Sequence, residues 1–416
     1  MTGGFVSHTL PNGLKIAIEP MPGIGSVASG LLVRTGARDE TRSLAGVSHF
    51  LEHMCFKGTT RRTARELSLA FDRMGGQPNA FTTQERTFYY GQSRAGDLDG
   101  LVELLADMME STLPPEEFDR EKQVVLEEIA MGHDRIEHLA FDLILQKVFE
   151  GTSLSWPVLG YQDSVAALTR ERMLEYLSRR YVPSNMVLIV AGHVEPEQAV
   201  DAARRHCGSW EAATCQRSRQ AVAPRVGSVV QQVERFQQQM VALIFRAPGG
   251  VDADYETAQA VATMLGGENS RFFWEIVQTG LCPMAGAWHL DYATHGLMIL
   301  YGQTEPAKIE QMTEAMQMQA RRLTRERIGE QELQRVKNKR RTALAVEGES
   351  PYHRLVQIMD DVDHHGVPST VEQRLARVEA ITVDTVMDYL GRYSIDGDGF
   401  LVSVGARSWP PIDASG

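Results

Sequence analysis

The 416-residue chain has little cysteine, no long apolar run and no basic excess. Its four cysteines, Cys55, Cys207, Cys215 and Cys282, include no CxxC pair, which excludes a zinc ribbon. Cys207 and Cys215 could join only in an oxidising compartment; otherwise all four are reduced, mostly buried thiols. No uncharged apolar stretch reaches the roughly 18 residues that a membrane-spanning helix needs. The opening residues, MTGGFVSHTLPNGLKIAIEP, carry no basic region, apolar core or small-residue cleavage site of an export signal. The expectation is a cytoplasmic protein. A formal net charge of −12 argues against a sequence-independent grip on nucleic acid or an anionic membrane. A GxxxxGK[ST] phosphate loop and a GxSxG elbow are both missing, which removes simple nucleotide-hydrolase and serine-hydrolase readings.

What is present is ordinary globular composition, 43% apolar and 23% charged, at a length that calls for two domains. Strand-like runs cover Leu14 to Ile18 and Ala28 to Val33. Helical patterns follow from Leu44 to about Phe56, stopped by Lys57-Gly58, and from Ala64 to Met74, ended by Gly75-Gly76. FTTQERTFYYG reads as strand. Helices are expected at Gly96 to Ser111 and from Pro115 past Glu128. MVLIVAGHV, Met186 to Val194, is a buried strand followed by a helix. Ala213 to Ser228 lacks apolar periodicity and is the linker candidate. Beyond it MVALIFRAPGGVDADYETAQAV repeats the order of ASGLLVRTGARDETRSLAGV: apolar strand, arginine, glycine-containing acidic turn, helix. The fold class expected is α+β, in two similar halves of mostly antiparallel sheet packed with helices, divided as 1–215 and 226–416.

His49-Phe-Leu-Glu-His53 carries the chemistry. On a helix, residues four apart stand about 40° apart on one face, so His49 and His53 can reach one metal ion. Glu52 lies on the same side and can bond a metal-bound water. HxxEH is the mirrored order of HExxH. The bland alternative, a chance polar pattern on a solvated face, sits badly with neighbours Val47, Phe50, Leu51, Met54 and Phe56. A catalytic zinc takes three protein ligands and leaves one position open, so a third ligand must come from elsewhere.

HFLEHMCFKGT, then GGQPNAFTTQERTFYY, EKQVVLEEI and YVPSNMVLIVAGHV, resembles the insulinase/pitrilysin family of zinc metallopeptidases, nearest its short-chain branch with mitochondrial processing peptidase. The resemblance covers nearly the whole chain and is looser in the second half. It implies that His49 and His53 bind one Zn2+ per chain and that Glu52 activates the water as general base. The third ligand is implied to be Glu128, 75 positions after His53, with Glu127 as the competing choice and the family pattern favouring the second of the pair. Glu121, seven residues earlier, either orients a histidine through its free ring nitrogen or is a solvated surface acid. Asn79, Ala80, Phe81 and Thr82 are implied to offer a strand edge to a peptide substrate, the alternative being plain strand packing.

The resemblance also implies that this chain is half of a clamshell. Where the family carries SRLFQEVREKRGLAYS, this sequence has SRFFWEIVQTGLCPM. Ser270, Arg271, Phe273, Glu275, Gly280 and Leu281 fit, but Val277 and Pro283 stand at the positions of the arginine and tyrosine that reach substrate. The implied assembly is a heterodimer whose second, homologous chain supplies them, in preference to a homodimer. The second half has AQAVATMLGG where the first has its histidine helix, so the fold is duplicated and the metal site is not. The rival function is a non-catalytic, peptide-holding scaffold subunit. DDVDHH, Asp360 to His365, reads as a helix end whose histidines interact with the dipole. RRLTRERIGEQELQRVKNKRR reads as a charged helix face, and His133 and His138 as surface residues.

Overall fold

The structure, a computed structural model, describes residues 4–217, 219–220 and 222–410. Strands β1 (Val6–Thr9), β2 (Lys15–Pro20), β3 (Ser26–Val33), β4 (Asn79–Thr82), β5 (Thr87–Arg94) and β6 (Met186–Gly192) form one sheet in the order β1-β2-β6-β3-β5-β4. Strands β7 (Gly227–Gln232), β8 (Gln239–Ala247), β9 (Met284–Asp291), β10 (Gly296–Thr304) and β11 (Phe400–Gly405) form a second, in the order β7-β11-β8-β10-β9. In each sheet one pair is parallel, β2 with β6 and β7 with β11, and the other pairs are antiparallel. Setting β1 aside, the two orders superimpose strand for strand. The duplication and the α+β class follow from this correspondence.

Strict alternation along the central strands explains why they read as continuous apolar runs. Met186, Leu188 and Val190 of β6 enter one core cluster, while Val187, Ile189 and Ala191 enter another on the opposite face. Side chains alternate across a strand, so a sheet covered on both faces leaves no polar positions. The first face packs on helices α1 (Val47–Cys55), α2 (Ala64–Met74), α3 (Leu98–Met108) and α4 (Pro115–His133). The second face is closed by Leu355, Ile358, Met359 and Val362 of the helix Pro351–His365. The second sheet is treated reciprocally. Ile136, Ala140, Leu143, Ile144 and Val148 of helix α5 (Ile136–Val148) pack on Met240, Ala242 and Ile244 of β8 and on Phe400, Val402 and Val404 of β11.

The compact units are therefore not contiguous in sequence. One comprises described residues within 1–130, 156–218 and 345–371; the other comprises those within 131–155, 219–344 and 372–416. The expected division into 1–215 and 226–416 changes by two exchanged segments, each bringing a helix that the other half's sheet needs. Local readings shift as well. FTTQERTFYYG is strand in two pieces, the end of β4 and the start of β5, because Thr83 to Arg86 turn back between them with a Thr83 N–H bond to the Arg86 carbonyl, 2.8 Å. Leu44 belongs to a short 3-10 turn, and the helix proper begins at Val47. DDVDHH closes its helix at left-handed Gly366, but its acids form ion pairs: Asp360 with Arg86 (2.6 Å), and fully buried Asp363 with Arg34, Arg86 and Arg217. All four cysteines are free thiols, and among the described residues no helix is long and apolar enough to cross a membrane.

Helix α1 is held at both ends. Gly46, left-handed at φ 95°, precedes it and leaves no room for a side chain, since a Cβ would stand 2.6 Å from the Leu159 carbonyl. The buried carboxylate of Glu40 accepts from the Gly46 and Ser48 N–H groups, 2.7 and 2.8 Å, satisfying donors that the first turn cannot bond internally. At the other end Ser111 donates to the Met54 carbonyl, 2.9 Å.

Arg354, fully buried in the exchanged helix, bonds both carboxylate oxygens of Glu19 on β2, at 2.8 and 3.1 Å. Arg354→Met strands that carboxylate and is expected to cost about 3–5 kcal/mol in urea unfolding; a loss below 1 kcal/mol would refute the anchor. Burial pushes the Glu40 carboxyl up to about 8 against the bonds from Ser48 and Gly46. The folded state then holds a proton that the unfolded state releases near the ordinary carboxylate value, so this group's contribution falls as pH rises through about 5 to 8. Glu40→Gln should remove that slope, making wild type lose stability relative to the variant between pH 5 and 8; parallel stability profiles would contradict it.

Candidate metal centre

Helix α1 is amphipathic in the plainest way. Val47, Phe50, Leu51, Met54 and Cys55 are buried in the core, and His49, Glu52 and His53 share the opposite, half-buried side at i, i+3 and i+4. Helix α4 lies against it through a stacked Phe50–Phe118 pair, centroids 4.9 Å apart, and through buried Val125 and Ile129. That packing aims two acids, seven residues and about two turns apart, at the histidines. Glu128 Oε2 lies 3.9 Å from His49 Nε2 and 3.7 Å from His53 Nε2. Glu127 is exposed. Of the two adjacent glutamates it is Glu128 that faces the histidines, a choice that spacing alone left open.

One ligand atom from each of His49, His53 and Glu128 falls within 4.8 Å of the others, the one such group of three among the described residues. Ligand atoms about 2.0–2.2 Å from a common tetrahedral ion stand roughly 3.3–3.6 Å apart, so a small contraction would close the set. The donor chemistry agrees. Burial, with the His53 charge adding to it, lowers His49 to about 3 and keeps its imidazole neutral, the form that offers a lone pair. Two imidazoles and one carboxylate suit a borderline cation such as zinc.

Glu121 is buried, and its two oxygens are both engaged. Oε2 meets His53 Nδ1 at 3.2 Å, which turns Nε2 of that ring toward Glu128; Oε1 meets Lys57 Nζ at 2.6 Å. Of the two readings of Glu121, the solvated surface acid does not match this burial. Lys57 is a residue that sequence reasoning used only as a helix stop. Its pairing with a residue 64 positions away leaves no local signal.

Glu52 accepts a 2.5 Å hydrogen bond from the Thr82 hydroxyl, and burial, outweighing that bond, raises its carboxyl above the ordinary value. Thr82 ends β4, which pairs with β5 alone and forms the outer edge of its sheet. The side chain of Phe81 packs on Phe88 and Tyr90, at 5.8 and 6.3 Å between centroids, so for this residue the packing reading holds for the ring while the backbone edge stays open. The Ala80 N–H already donates to Asn79 Oδ1, 2.8 Å. In the other unit, Val277 packs against the core and Pro283 is exposed.

Known proteins resemble this chain over nearly its whole length. Residues 15–162 match the family described as Insulinase (Peptidase family M16), and residues 167–340 match the Peptidase M16 inactive domain. A Bacillus subtilis protein named as an uncharacterized zinc protease is 30% identical over 91% of this chain and 93% of its own length. One from Mycobacterium tuberculosis, named likewise, is 32% identical over 91% and 88%. Among solved structures, a protease from Helicobacter pylori shares the fold with a TM-score of 0.91 at 21% identity, covering 97% of this chain and all of that one. A peptidase M16 inactive domain from Pseudomonas fluorescens shares it at 0.90 and 15%, covering 97% and 98%. With the mirrored histidine motif, the duplicated sheet order and near-complete coverage of these relatives together, the chain belongs to the insulinase family of peptidases, M16.

Proposed function

We propose that this protein is a zinc-dependent endopeptidase in which His49, His53 and Glu128 hold one zinc ion and Glu52 is the general base. The observation that carries the reading is the convergence of those three donor groups, with Glu52 one turn along the same helix face. The names of the relatives support zinc as the metal and protein as the substrate class. When bound, the ion supplies Lewis-acid polarisation of a water and of a carbonyl oxygen. Glu121 fixes the ring of His53, and Lys57 holds Glu121. Glu52, its proton affinity raised by burial, takes a proton from the attacking water and returns it to the leaving amine. A peptide adds to the free edge of β4 as a further strand, displacing the Asn79 side chain from the Ala80 N–H.

Val277 and Pro283, at the places of the family's arginine and tyrosine, support a heterodimer in which a second homologous chain completes the site. The four free thiols agree with a reducing, cytoplasmic setting.

Metal analysis of the chain purified without chelator tests the centre. One zinc per chain is expected in wild type, Glu127→Gln and Glu52→Gln, and close to none in His49→Ala and Glu128→Gln. Glu52→Gln should lower zinc-dependent cleavage of fluorescently labelled casein about 10²–10⁴-fold. A wild-type chain that binds no zinc would favour the scaffold reading instead. Lys57→Met is expected to weaken zinc affinity about tenfold in chelator competition; unchanged affinity would remove Lys57 from the site. Casein cleavage by the isolated chain, unaltered by any homologous partner, would refute the heterodimer.

A further inference from the structure

We infer that Thr82 is a positioning residue that decides which oxygen of Glu52 carries the proton. The inference rests on Glu52 being the general base and on the distribution of hydroxyl hydrogens along the β4–β5 pair. Thr82 and Thr87 are direct cross-strand partners. Each hydroxyl has one hydrogen to give. Thr87, fully buried, donates its own to the Thr35 carbonyl at 2.9 Å. The Thr82 hydroxyl has two acceptors in reach, Glu52 Oε2 at 2.5 Å and Thr87 Oγ1 at 3.4 Å. A charged acceptor at the shorter distance wins, and the bond is of the strong, charge-assisted kind.

The consequence is an asymmetric carboxylate. Oε2 accepts from Thr82, and that bond is the only side-chain hydrogen bond of Glu52 among the described residues, which leaves Oε1 available. A proton leaving water therefore goes to Oε1, as the water oxygen bonds to the carbonyl carbon. The same proton then passes from Oε1 to the amine nitrogen as the carbon–nitrogen bond breaks, and Glu52 returns to its starting state. Thr82 donates throughout and exchanges no proton. Without it the carboxylate can rotate, and Oε2 becomes a second, competing acceptor.

The placement also ties the base to the substrate strand. Thr82 is the last residue of the edge strand, so a peptide that settles on β4 settles on the element that holds Glu52. Neither histidine ligand touches β4 through a hydrogen bond among the described residues, so the effect is on the base and not on metal retention.

Thr82→Val, nearly isosteric and without a donor, and Thr82→Ala as a second donor-free variant, test this beside Thr82→Ser, which keeps the hydroxyl. Crystal structures of the zinc-loaded full chain should show Glu52 in one orientation in wild type and Thr82→Ser and rotated or spread over several in the donor-free variants. Zinc content should be the same in all. In casein cleavage, kcat should fall about 10–100-fold in the donor-free variants, the effect of one lost bond to a charged group, with KM unchanged and Thr82→Ser within about threefold of wild type. Glu52 holding its wild-type orientation in both donor-free variants would overturn the inference. So would full kcat in them while Glu52→Gln is inactive. An active Glu52→Gln would instead bring down the assignment of the base itself.

Discussion

Covering both faces of a sheet is the constraint from which the rest of this protein follows. Strands β3, β5 and β6 have no polar side to show to water, so each face needs an apolar partner. At roughly 25 cal/mol per Å² of apolar surface, leaving one face open would forfeit more than the net stability of a typical domain. The chain solves this by exchange, each half lending a helix to the other's sheet. The first face can then be given to α1 and α4, whose exposed sides are free to carry histidines and acids.

Fixed neighbours give the centre its geometry. The α1 helix is tied by Glu40 at its start and by Ser111 at its end, and α4 is set by the Phe50–Phe118 stack. Glu121, itself paired with Lys57, restrains the ring of His53, whereas the buried Nδ1 of His49 has no hydrogen-bond partner among the described residues. The polar groups are linked in a short series, Lys57 to Glu121 to His53 and, separately, Thr82 to Glu52. Under the proposed function, such pre-organisation lets metal binding and proton transfer proceed without rearranging the scaffold.

Much of this was legible in the sequence because it is local. The histidine motif is a period of a single helix, the glycine stops at Gly75 and Gly366 are properties of single residues, and Met186 to Val194 announces its two-sided burial by being apolar throughout. The duplicated halves could be seen from the order of strand, arginine, acidic turn and helix. What periodicity could not show was partnership across distance. Nothing near Lys57 points to Glu121, nothing near Thr82 points to Glu52, and the Glu127–Glu128 choice depends on the rotation of α4 against α1. The exchanged helices were hidden for the same reason: α5 and the helix Pro351–His365 look like members of the halves in which they are encoded. The sequence alternation tells which side is apolar, and only topology tells whose sheet it covers.

That exchange has a consequence for synthesis on the ribosome. The first sheet is complete once β6 ends at Gly192, yet the helix that closes its second face begins only at Pro351. At about 5–20 residues per second, the apolar side of a finished sheet waits on the order of ten seconds before its cover has been made. During that interval the nascent chain presents Leu32, Phe88, Val187 and Ile189 as an adhesive surface. The candidate metal ligands, all encoded by Glu128, thus belong to a unit whose sheet is not closed on both faces until the helix Pro351–His365 has been made.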